Sequence, residues 1–524
     1  MSAGTNPRSL WPKRLLLAYV LANALLYSML LPLWEGFDEP FHFGYVQSLA
    51  NGAGFPDART SRLSEEIAAS ILLAPASLSV QQNLPQVTSY RDFFSWPEFR
   101  RRQVHQELSR IPPALRWQPS QLHNYEALQA PLAYAIQVLP ERLLAQLPLP
   151  RRVLIIRILI GAVGGLLLFF GTERVCTLLG MSGPYRYIAI FCAISNQMMW
   201  ATLAHVGNDW LSIPLSVWLL AVTLAYNERP GLQRAAIASL VLTLGLLTKA
   251  WFLAFIPLVA CVCIVRRRWK DLGIAAIVVL GLAGPWYVRN LVRYQSISGM
   301  QESREGANPA AALSAVRLRE FPVVILAWSR SALFTANNSF RAFSTRTLNM
   351  LIAAWFAALL LWVVHRRCGR EWIVVFYSAL FTVALAWDAA LSYSYSHGII
   401  TSPASWYTQV LLVPMLALAL LGASRSGKAG KVVAAAMTLL FGYVLICTYL
   451  VKLVPLYSGF EERTSLGSVV KLYAQRFPMI ATGLNDVSLA PAAAILTLAA
   501  VVTVLAVAQQ VVLIRQLFAA PDSG

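Results

Sequence analysis

Residues 34–57 read WEGFDEPFHFGYVQSLANGAGFPD and follow directly on the first long apolar run of the chain. Charged groups are costly where a chain leaves the membrane, so Asp38, Glu39 and His42 are candidates for a functional site. If residues 38–48 are helical, Asp38 and His42 lie four residues apart on one face. The stretch therefore predicts a carboxylate and an imidazole on one wall of a pocket just outside the first membrane span.

Two interpretations of these acids remain open. Asp38 or Glu39 could simply cap a helix on the membrane surface, with Pro40 in the first turn of that helix. Capping accounts for one acid, but not for an acid pair beside His42. We therefore favour the hypothesis that the stretch provides an active-site base or an acid that orients the substrate.

The composition indicates an integral membrane protein. Of 524 residues, 57% are hydrophobic and 13% are charged, and the mean hydropathy is +0.57, which is far more apolar than a soluble chain. Apolar runs of about 17 to 25 residues recur along the sequence, which predicts spanning helices and not a barrel. The net charge of +19 is concentrated in short loops, as the positive-inside rule requires, so nucleic acid is not implied as a partner.

The sequence predicts neither a cleaved signal peptide nor a metal site made of cysteines. Arg8, Lys13 and Arg14 precede the first apolar run, but no small-residue cleavage pattern follows it, so we expect a retained first span and not a signal peptide. The six cysteines fall in predicted spans or cytoplasmic loops, so no disulfide framework or cysteine metal site is expected. A divalent cation such as Mg or Mn would need carboxylates and histidines, and the sequence does not decide whether one is bound.

The predicted fold is an all-α polytopic membrane protein of about 12 transmembrane helices in the cell inner (plasma) membrane. The predicted spans are at about residues 13–33, 153–172, 186–204, 210–227, 234–248, 250–265, 271–290, 347–364, 372–390, 406–422, 430–451 and 490–513. Both termini are expected in the cytoplasm and the active site on the outer, periplasmic side, because the short outer turns 205–209 and 391–405 contain no Lys or Arg. Residues 125–148 are interrupted by Pro140, Glu141 and Arg142 and are expected to lie along the outer surface as a juxtamembrane helix. The predicted divisions are 1–33 (N-terminus and first span), 34–151 (outer loop with juxtamembrane helices and the first acidic motif), 152–290 (core spans), 291–346 (outer loop) and 347–524 (C-terminal spans with an outer loop at 452–489).

A second acid and a lysine lie on other outer turns. Asp209 ends the sequence His205-Val206-Gly207-Asn208-Asp209 on the same predicted side as Asp38. It either caps the next span or joins Asp38, His42 and His205 in a site that orients a hydroxyl and a phosphate or holds a divalent cation. Lys249 interrupts apolar sequence at a tight turn, where it either snorkels to the interface or binds substrate.

Two arginines lie at the outer end of the seventh predicted span, where the topology does not require positive charge. Arg289 in Trp286-Tyr287-Val288-Arg289-Asn290 could pair a lipid phosphate. Arg293 could share that task with Lys249, while Tyr287 lies in the interfacial aromatic belt. These residues complete the predicted substrate-binding set.

Together these motifs resemble the GT-C superfamily of integral membrane glycosyltransferases, in particular the protein mannosyltransferases and the lipid A aminoarabinose transferase. The resemblance covers about residues 13–300 and rests on five short motifs, namely Asp38-Glu39, the Ala-Pro-Leu-Ala-Tyr of 130–134, Asn208-Asp209, the Leu-Thr-Lys that ends at Lys249, and the Trp-Tyr-Val-Arg-Asn of 286–290.

The resemblance implies transfer of a sugar from a polyprenyl-phosphate-linked donor to a lipid, glycan or protein acceptor on the outer face, with inversion at the anomeric carbon. By position, it implies that Asp38 is the base or acceptor-orienting acid, with Glu39 as its neighbour and Asp209 as the second acid. It further implies that Lys249 and Arg289 contact the donor phosphate. Such an enzyme would serve glycan biosynthesis in the cell envelope.

Two other classes of function compete with this one. A transporter or flippase of a lipid-linked saccharide should place acids or broken helices near the middle of the bilayer, whereas most predicted spans are apolar there and Asp388 is the nearest buried acid. A non-catalytic scaffold for envelope assembly would leave the outer acids unexplained. The sequence does not identify the sugar, the acceptor, the lipid chain length or the oligomeric state.

Overall fold

The chain folds into a helical bundle whose elements are known over most of its length. In this computed structural model, the described residues are 11–77, 80, 84, 86–181, 183–299, 314, 321–333, 343–367, 369–396, 404–460 and 466–519. The helices are α1 (Trp11–Leu30), α2 (Glu39–Ala50), α3 (Glu65–Leu73), α4 (Tyr90–Ser95), α5 (Glu98–Ser109), α6 (Leu132–Leu143), α7 (Leu149–Leu178), α8 (Gly183–Ile194), α9 (Gln197–Leu203), α10 (Asp209–Glu228), α11 (Leu232–Leu246), α12 (Ile256–Val265), α13 (Trp269–Leu282), α14 (Gly284–Tyr294), α15 (Phe321–Ser331), α16 (Thr345–Val364), α17 (Glu371–Tyr395), α18 (Leu412–Ser424), α19 (Gly427–Cys447), α20 (Val454–Tyr457), α21 (Leu466–Val487) and α22 (Ala492–Ala519).

Short irregular helices and one small sheet complete these elements. The sheet pairs β1 (Arg62–Ser64) with β2 (Pro119–His123) in antiparallel register, with Arg62 opposite His123. It was not predicted, and it is a minor exception in an otherwise all-helical chain. The 3₁₀ helices are Pro113–Trp117, Tyr125–Leu128, Ala250–Phe255 and Tyr407–Leu411, and a π-helical turn covers Thr448–Leu453.

The protein is a multi-pass membrane protein. Among the described residues, eight helices are long and apolar enough to cross a membrane, and a ninth span results if the pair α13 and α14, which is bent by 51°, is counted as one. The eight are Trp11–Leu30, Leu149–Leu178, Asp209–Glu228, Thr345–Val364, Glu371–Ser394, Tyr407–Ser424, Gly427–Tyr457 and Ala492–Ala519.

The described residues thus contain eight or nine candidate spans and not the twelve that were predicted, and the difference in number has local causes. Predicted spans 234–248 and 250–265 correspond to α11 and to Ala250–Val265, which are apolar but short. Predicted span 271–290 bends between α13 and α14, where Pro285 lies in the first turn of the second helix and cannot continue the hydrogen bonding of the first. Counting apolar residues does not detect such interruptions.

Predicted span 186–204 is also divided, into α8 and α9. The helix ends at Ile194, and the side chain of Asn196 accepts a hydrogen bond from the backbone of Met198 and so begins a new helix. Trp200 donates its indole N–H to the freed carbonyl of Ile194 at 2.7 Å. The break is thus hydrogen-bonded within the protein, as a buried backbone interruption must be.

The segment between α1 and α7, which is predicted to lie on the outer side, has its own apolar core, in which α2 packs against α6. Helix α6 has 12 residues, which is too few to cross a bilayer. Its Gln137 and Glu141 are buried, whereas Ile136, Leu139 and Leu143 are exposed. An apolar face open to the surroundings suits a helix that lies on the membrane surface, as predicted for residues 125–148.

A buried ion network holds this outer core to the start of α7. Arg152 is fully buried and pairs with both Glu66 of α3 and Glu141 of α6. Glu66 also accepts a hydrogen bond from Gln47 of α2 at 2.8 Å. Breaking one partner of such a network would leave a buried charge without compensation, so the network fixes α2, α3 and α6 against the start of α7.

Candidate active site

The turn at Asp38 that precedes α2, here called the elbow, separates the neighbouring acids Asp38 and Glu39. Asp38 has a left-handed backbone with φ 51°, and Glu39 begins the helix. Asp38 is partly exposed, whereas Glu39 is fully buried. A non-glycine residue in this backbone region is strained, so the packing around it must hold the turn in place.

Glu39 is occupied inside the protein. Its carboxylate pairs with Arg157 of α7, with Nε at 2.7 Å from Oε1, and Oε1 also accepts from the N–H of Val206 at 2.9 Å. Arg157 in turn donates to the carbonyls of Leu31 and Pro32 at 2.6 and 2.9 Å. Glu39 therefore fastens the elbow to α7 and to the turn that precedes Asp209.

Asp38 does not cap α2, because its side chain makes no capping hydrogen bond. Asp38 and His42 were predicted to share one wall of a pocket, not to pair, and no ion pair joins them. Oδ1 of Asp38 instead accepts a hydrogen bond from the hydroxyl of Tyr125 at 2.5 Å. Burial raises the pKa of Asp38, while the Tyr125 hydrogen bond and the positive charge of Lys249 oppose the rise.

A third carboxylate, Glu126, adjoins Asp38 and was not predicted. Its Oε2 lies 3.5 Å from Nδ1 of His42 and accepts no hydrogen bond from the described residues. Burial and the neighbouring charge of Asp38 raise the pKa of Glu126 to about 8. Nδ1 of His42 is 2.8 Å from the hydroxyl of Tyr134, and burial lowers the pKa of His42, so this imidazole is neutral.

His205 lies close to His42, with ring centroids 6.4 Å apart. Its Nδ1 donates to the carbonyl of Ala201 at 2.7 Å, so Nε2 of the neutral ring is left as an acceptor, and this atom is buried without a hydrogen-bond partner among the described residues. A Cβ at Gly207 would lie only 2.9 Å from that nitrogen. Glycine at position 207 thus allows the turn before α10 to pass close to the imidazole rings of His42 and His205.

Asp209 and Lys249 form the charged centre of the site. Nζ of Lys249 lies 2.6 Å from Oδ1 of Asp209, and both side chains are buried. Trp251 and Tyr407 flank the ammonium, with ring centroids 4.5 and 4.6 Å away. Lys249 does not snorkel, and Asp209 pairs with it instead of only capping α10. Ser212 also donates to Asp209, at 3.2 Å.

Lys249 is one of the residues that line an apolar cavity of about 530 Å³. Its walls are carbon-rich side chains of α17 and of the segment after Lys249, and Asp388 lies on the same wall. The lining includes Trp251, Leu253, Pro257, Leu380, Phe381, Val383, Leu385, Trp387, Leu391 and Tyr407. A buried cation in the lining of an apolar cavity suits a ligand with an anionic head group and a hydrocarbon tail.

The predicted arginines lie in a separate group. Arg289 donates to the carbonyl of Pro56 at 3.2 Å, and its NH1 is buried without a hydrogen-bond partner in the described part of the chain. Arg293 is half exposed and pairs with Asp57. The hydroxyl of Tyr287 donates to the carbonyl of Leu246 at 2.9 Å. Arg289 and Arg293 thus contact the 56–59 loop, and Tyr287 contacts the end of α11 three residues before Lys249, but none of the three is hydrogen-bonded to Lys249.

The structure thus brings together Asp38, His42, His205, Asp209 and Lys249 from the predicted set and adds Tyr125, Glu126, Tyr134 and Tyr407. The signal for Glu126 was present, because it lies four residues before the Ala-Pro-Leu-Ala-Tyr motif on the same predicted outer side. Over the described residues, no three or more His, Cys, Asp or Glu side chains are arranged to hold a metal ion.

No protein family model and no curated protein matches this chain. Solved structures that it resembles include ArnT from Cupriavidus metallidurans bound to undecaprenyl phosphate, with a TM-score of 0.46, 12% sequence identity, and coverage of 95% of this chain and 77% of that chain. The Archaeoglobus fulgidus oligosaccharyltransferase, tethered with an acceptor peptide, has a TM-score of 0.43 and 13% identity, over 91% of this chain and 55% of that one. The similarity extends over most of this chain, but at this level it assigns neither a family nor a substrate to it.

Proposed function

We propose that the protein is an inverting glycosyltransferase that moves a sugar from a polyprenyl-phosphate donor to an acceptor on the outer, periplasmic face. The observation that carries the proposal is the position of Lys249, which pairs with Asp209 and lines the apolar cavity. A buried ammonium has three donors, so Lys249 can keep Asp209 and still bind a phosphate oxygen. The polyprenyl chain then occupies the cavity.

The chemistry requires a base on one side of the sugar and a cation on the other. The acceptor oxygen attacks the anomeric carbon and its proton passes to Asp38, while the bond from that carbon to the phosphate oxygen breaks. The bonding electrons leave with polyprenyl phosphate, whose growing charge Lys249 stabilises. A single displacement of this kind inverts the anomeric configuration.

The other carboxylates take different roles because their surroundings differ. With a pKa of about 8, Glu126 is mostly protonated at neutral pH, so it can donate a hydrogen bond and does not compete with Asp38 as the base. Glu39 acts through Arg157 by holding the elbow. The neutral rings of His42 and His205 are proposed to contact the acceptor, and Arg289, Arg293 and Tyr287 remain proposed substrate contacts further out.

The test is the substitution Asp38→Asn. Its amide oxygen can still accept the hydrogen bond from Tyr125, but it cannot take a proton. We expect normal membrane insertion and a loss of transfer of about a hundredfold to ten-thousandfold. The measurement is release of polyprenyl phosphate from a panel of polyprenyl-linked sugars, with the exposed Asp92→Asn as control.

Two further variants refine this experiment. Asp209→Asn should also reduce transfer strongly, because it loosens Lys249, and Glu39→Gln should reduce it less. Near-normal turnover by Asp38→Asn would remove the catalytic assignment. Inactivity that added Mg or Mn restores would instead make Asp38 a metal ligand.

The broken helix α8–α9 gives the flippase alternative little support. The hydroxyls of Tyr19 and Ser195 lie 3.0 Å apart and Asn196 donates to the carbonyl of Ala332 at 2.9 Å, whereas the amide of Gln197 is buried without a hydrogen-bond partner among the described residues. A flippase would move the lipid-linked sugar intact. Free polyprenyl phosphate therefore distinguishes the two functions.

A further inference from the structure

Four arginines surround a cavity of about 310 Å³ at the end of the bundle opposite Asp38. Arg174 lies on the last turns of α7, Arg229 follows α10, Arg234 lies on α11 and Arg370 directly precedes α17. Helix α10 begins at Asp209 and has 20 residues, so the cavity lies about 30 Å from the acidic site. It is a separate site.

Two of these arginines complete the ends of helices. Arg370 donates to the carbonyl of Leu178 at 2.7 Å and pairs with Glu228 at 3.1 Å. Arg234 donates to the carbonyl of Arg229 at 2.6 Å. The final carbonyls of α7 and α10 need such donors, so part of the positive charge here has a structural purpose.

The other two arginines have no such purpose. The guanidinium groups of Arg174 and Arg229 make no hydrogen bond or ion pair with the described part of the chain, although both line the cavity. Glu228 is the one acid of the lining and is already paired with Arg370. The cavity therefore carries an excess of positive charge, with unused N–H donors on two sides.

The positive-inside rule explains why this face is basic, but not why the charges meet in one concave place. Arg174, Arg229 and Arg370 are exposed, as are Arg267 and Lys270 at the neighbouring start of α13, but only the first three line the cavity. Leu178 and Ala225 supply apolar surface beside the arginines. Basic pockets between span ends suit the head groups of anionic lipids, and guanidinium forks match phosphate oxygens.

We propose that this cavity binds a phosphate group, carried either by an anionic phospholipid of the adjoining leaflet or by a soluble phosphate. Arg174 and Arg229 contact the phosphate oxygens, and Arg234 and Arg370 hold the cavity open from the helix ends. The site is independent of the proposed transfer reaction, since it uses none of its residues.

The test compares two double variants of the full chain with equal loss of charge. Arg174→Gln/Arg229→Gln removes the unused donors, and Arg267→Gln/Lys270→Gln is the matched control. Native mass spectrometry measures retention of phosphatidylglycerol over phosphatidylcholine from mixed nanodiscs. We expect the cavity variant alone to lose at least about tenfold in preference, because one lost charge-assisted hydrogen bond changes an equilibrium by about that factor.

Inorganic phosphate distinguishes the two sources. If it displaces the lipid, or raises the unfolding temperature of the wild type and the control but not of the cavity variant, a soluble phosphate uses the site; retention of phosphatidylglycerol despite phosphate assigns the site to lipid. Equal loss by both double variants, or no response of the wild type to either probe, overturns the proposal.

A charge-conserving variant covers the case in which loss of charge disturbs insertion. Arg174→Lys/Arg229→Lys keeps the charge that orients the chain but removes the planar fork. We expect it to insert normally and to bind several-fold less tightly than the wild type. Undiminished binding by this variant would contradict recognition by the two guanidinium groups.

Discussion

At the residue scale, Glu126 links the electrostatics of the site to the stability of the protein. Its pKa is raised from 4.5 to about 8, so the folded protein holds one more proton than the unfolded chain between these values. Stability must therefore fall as pH rises through this window, by up to about 1.4 kcal/mol per pH unit. We expect Glu126→Gln to remove this part of the pH dependence, as measured by thermal unfolding in detergent from pH 5 to about 9.

The matched control is Glu98→Gln, which changes an exposed acid of the same outer segment. It should leave the pH dependence of unfolding as in the wild type. An unchanged slope in Glu126→Gln would show that this carboxyl is ionised in the folded protein, and its proposed role as a hydrogen-bond donor would be lost with it.

Also at the residue scale, the pair of Arg157 and Glu39 should matter more for folding than for chemistry. Arg157→Gln leaves a buried carboxylate uncompensated, which typically costs about 3–5 kcal/mol. We expect a large fall in the unfolding temperature, whereas Arg151→Gln, an exposed change one turn and a half earlier on α7, should be close to neutral. Similar unfolding temperatures for the two variants would rule out a buried ion pair.

At the scale of elements, the loop between α2 and β1 is fastened to α14. Asp57 pairs with Arg293 and accepts a hydrogen bond from Tyr294 at 2.9 Å, and the N–H of Ala58 donates to the Tyr294 hydroxyl at 3.1 Å. Arg59 adds a hydrogen bond to the carbonyl of Arg293 at 2.8 Å. This attachment explains why Arg293 lies away from the acidic cluster.

The attachment predicts a local response to Asp57→Asn. We expect faster amide hydrogen exchange in residues 53–59, with little change in global stability because Arg293 is half exposed. The Arg293 guanidinium lowers the pKa of Asp57 to about 2, so the stabilisation is complete above the ordinary pKa near 3.8 and is lost as pH falls towards 2. Exchange that is equally slow in Asp57→Asn and in the control Asp92→Asn would contradict this attachment.

At the scale of the whole molecule, the path of the chain places α6 and the start of α13 at opposite ends of the bundle. We expect Ile136→Cys to react with an impermeant thiol reagent added outside, and Lys270→Cys only with reagent that has access to the cytoplasm. Both positions are exposed, and the six native cysteines are first replaced by alanine. Labelling of both from one side would overturn the predicted topology.

The sequence alone determined the class of the protein, and it predicted that the acids lie on one side of the membrane. Membrane insertion depends on the length and apolarity of single segments, and the alternation of basic loops depends only on chain order, so both are local properties. For the same reason, Asp38, Asp209 and Lys249 were correctly expected on one face. The number of spans was less accessible, because the capping hydrogen bond of Asn196 and the missing backbone N–H of Pro285 interrupt helices, and composition records neither.

Only the tertiary structure decided which of these residues meet. Asp38 and Glu39 are neighbours in sequence, yet the left-handed turn leaves one partly exposed and commits the other to Arg157. Glu126 reaches the site only because α2 packs against the segment that follows β2, and Arg289 is held away from it by contact with the 56–59 loop. Distances between helices depend on the packing of side chains that lie far apart in the chain. A pattern read along the sequence fixes no such distance, whereas the packed core does.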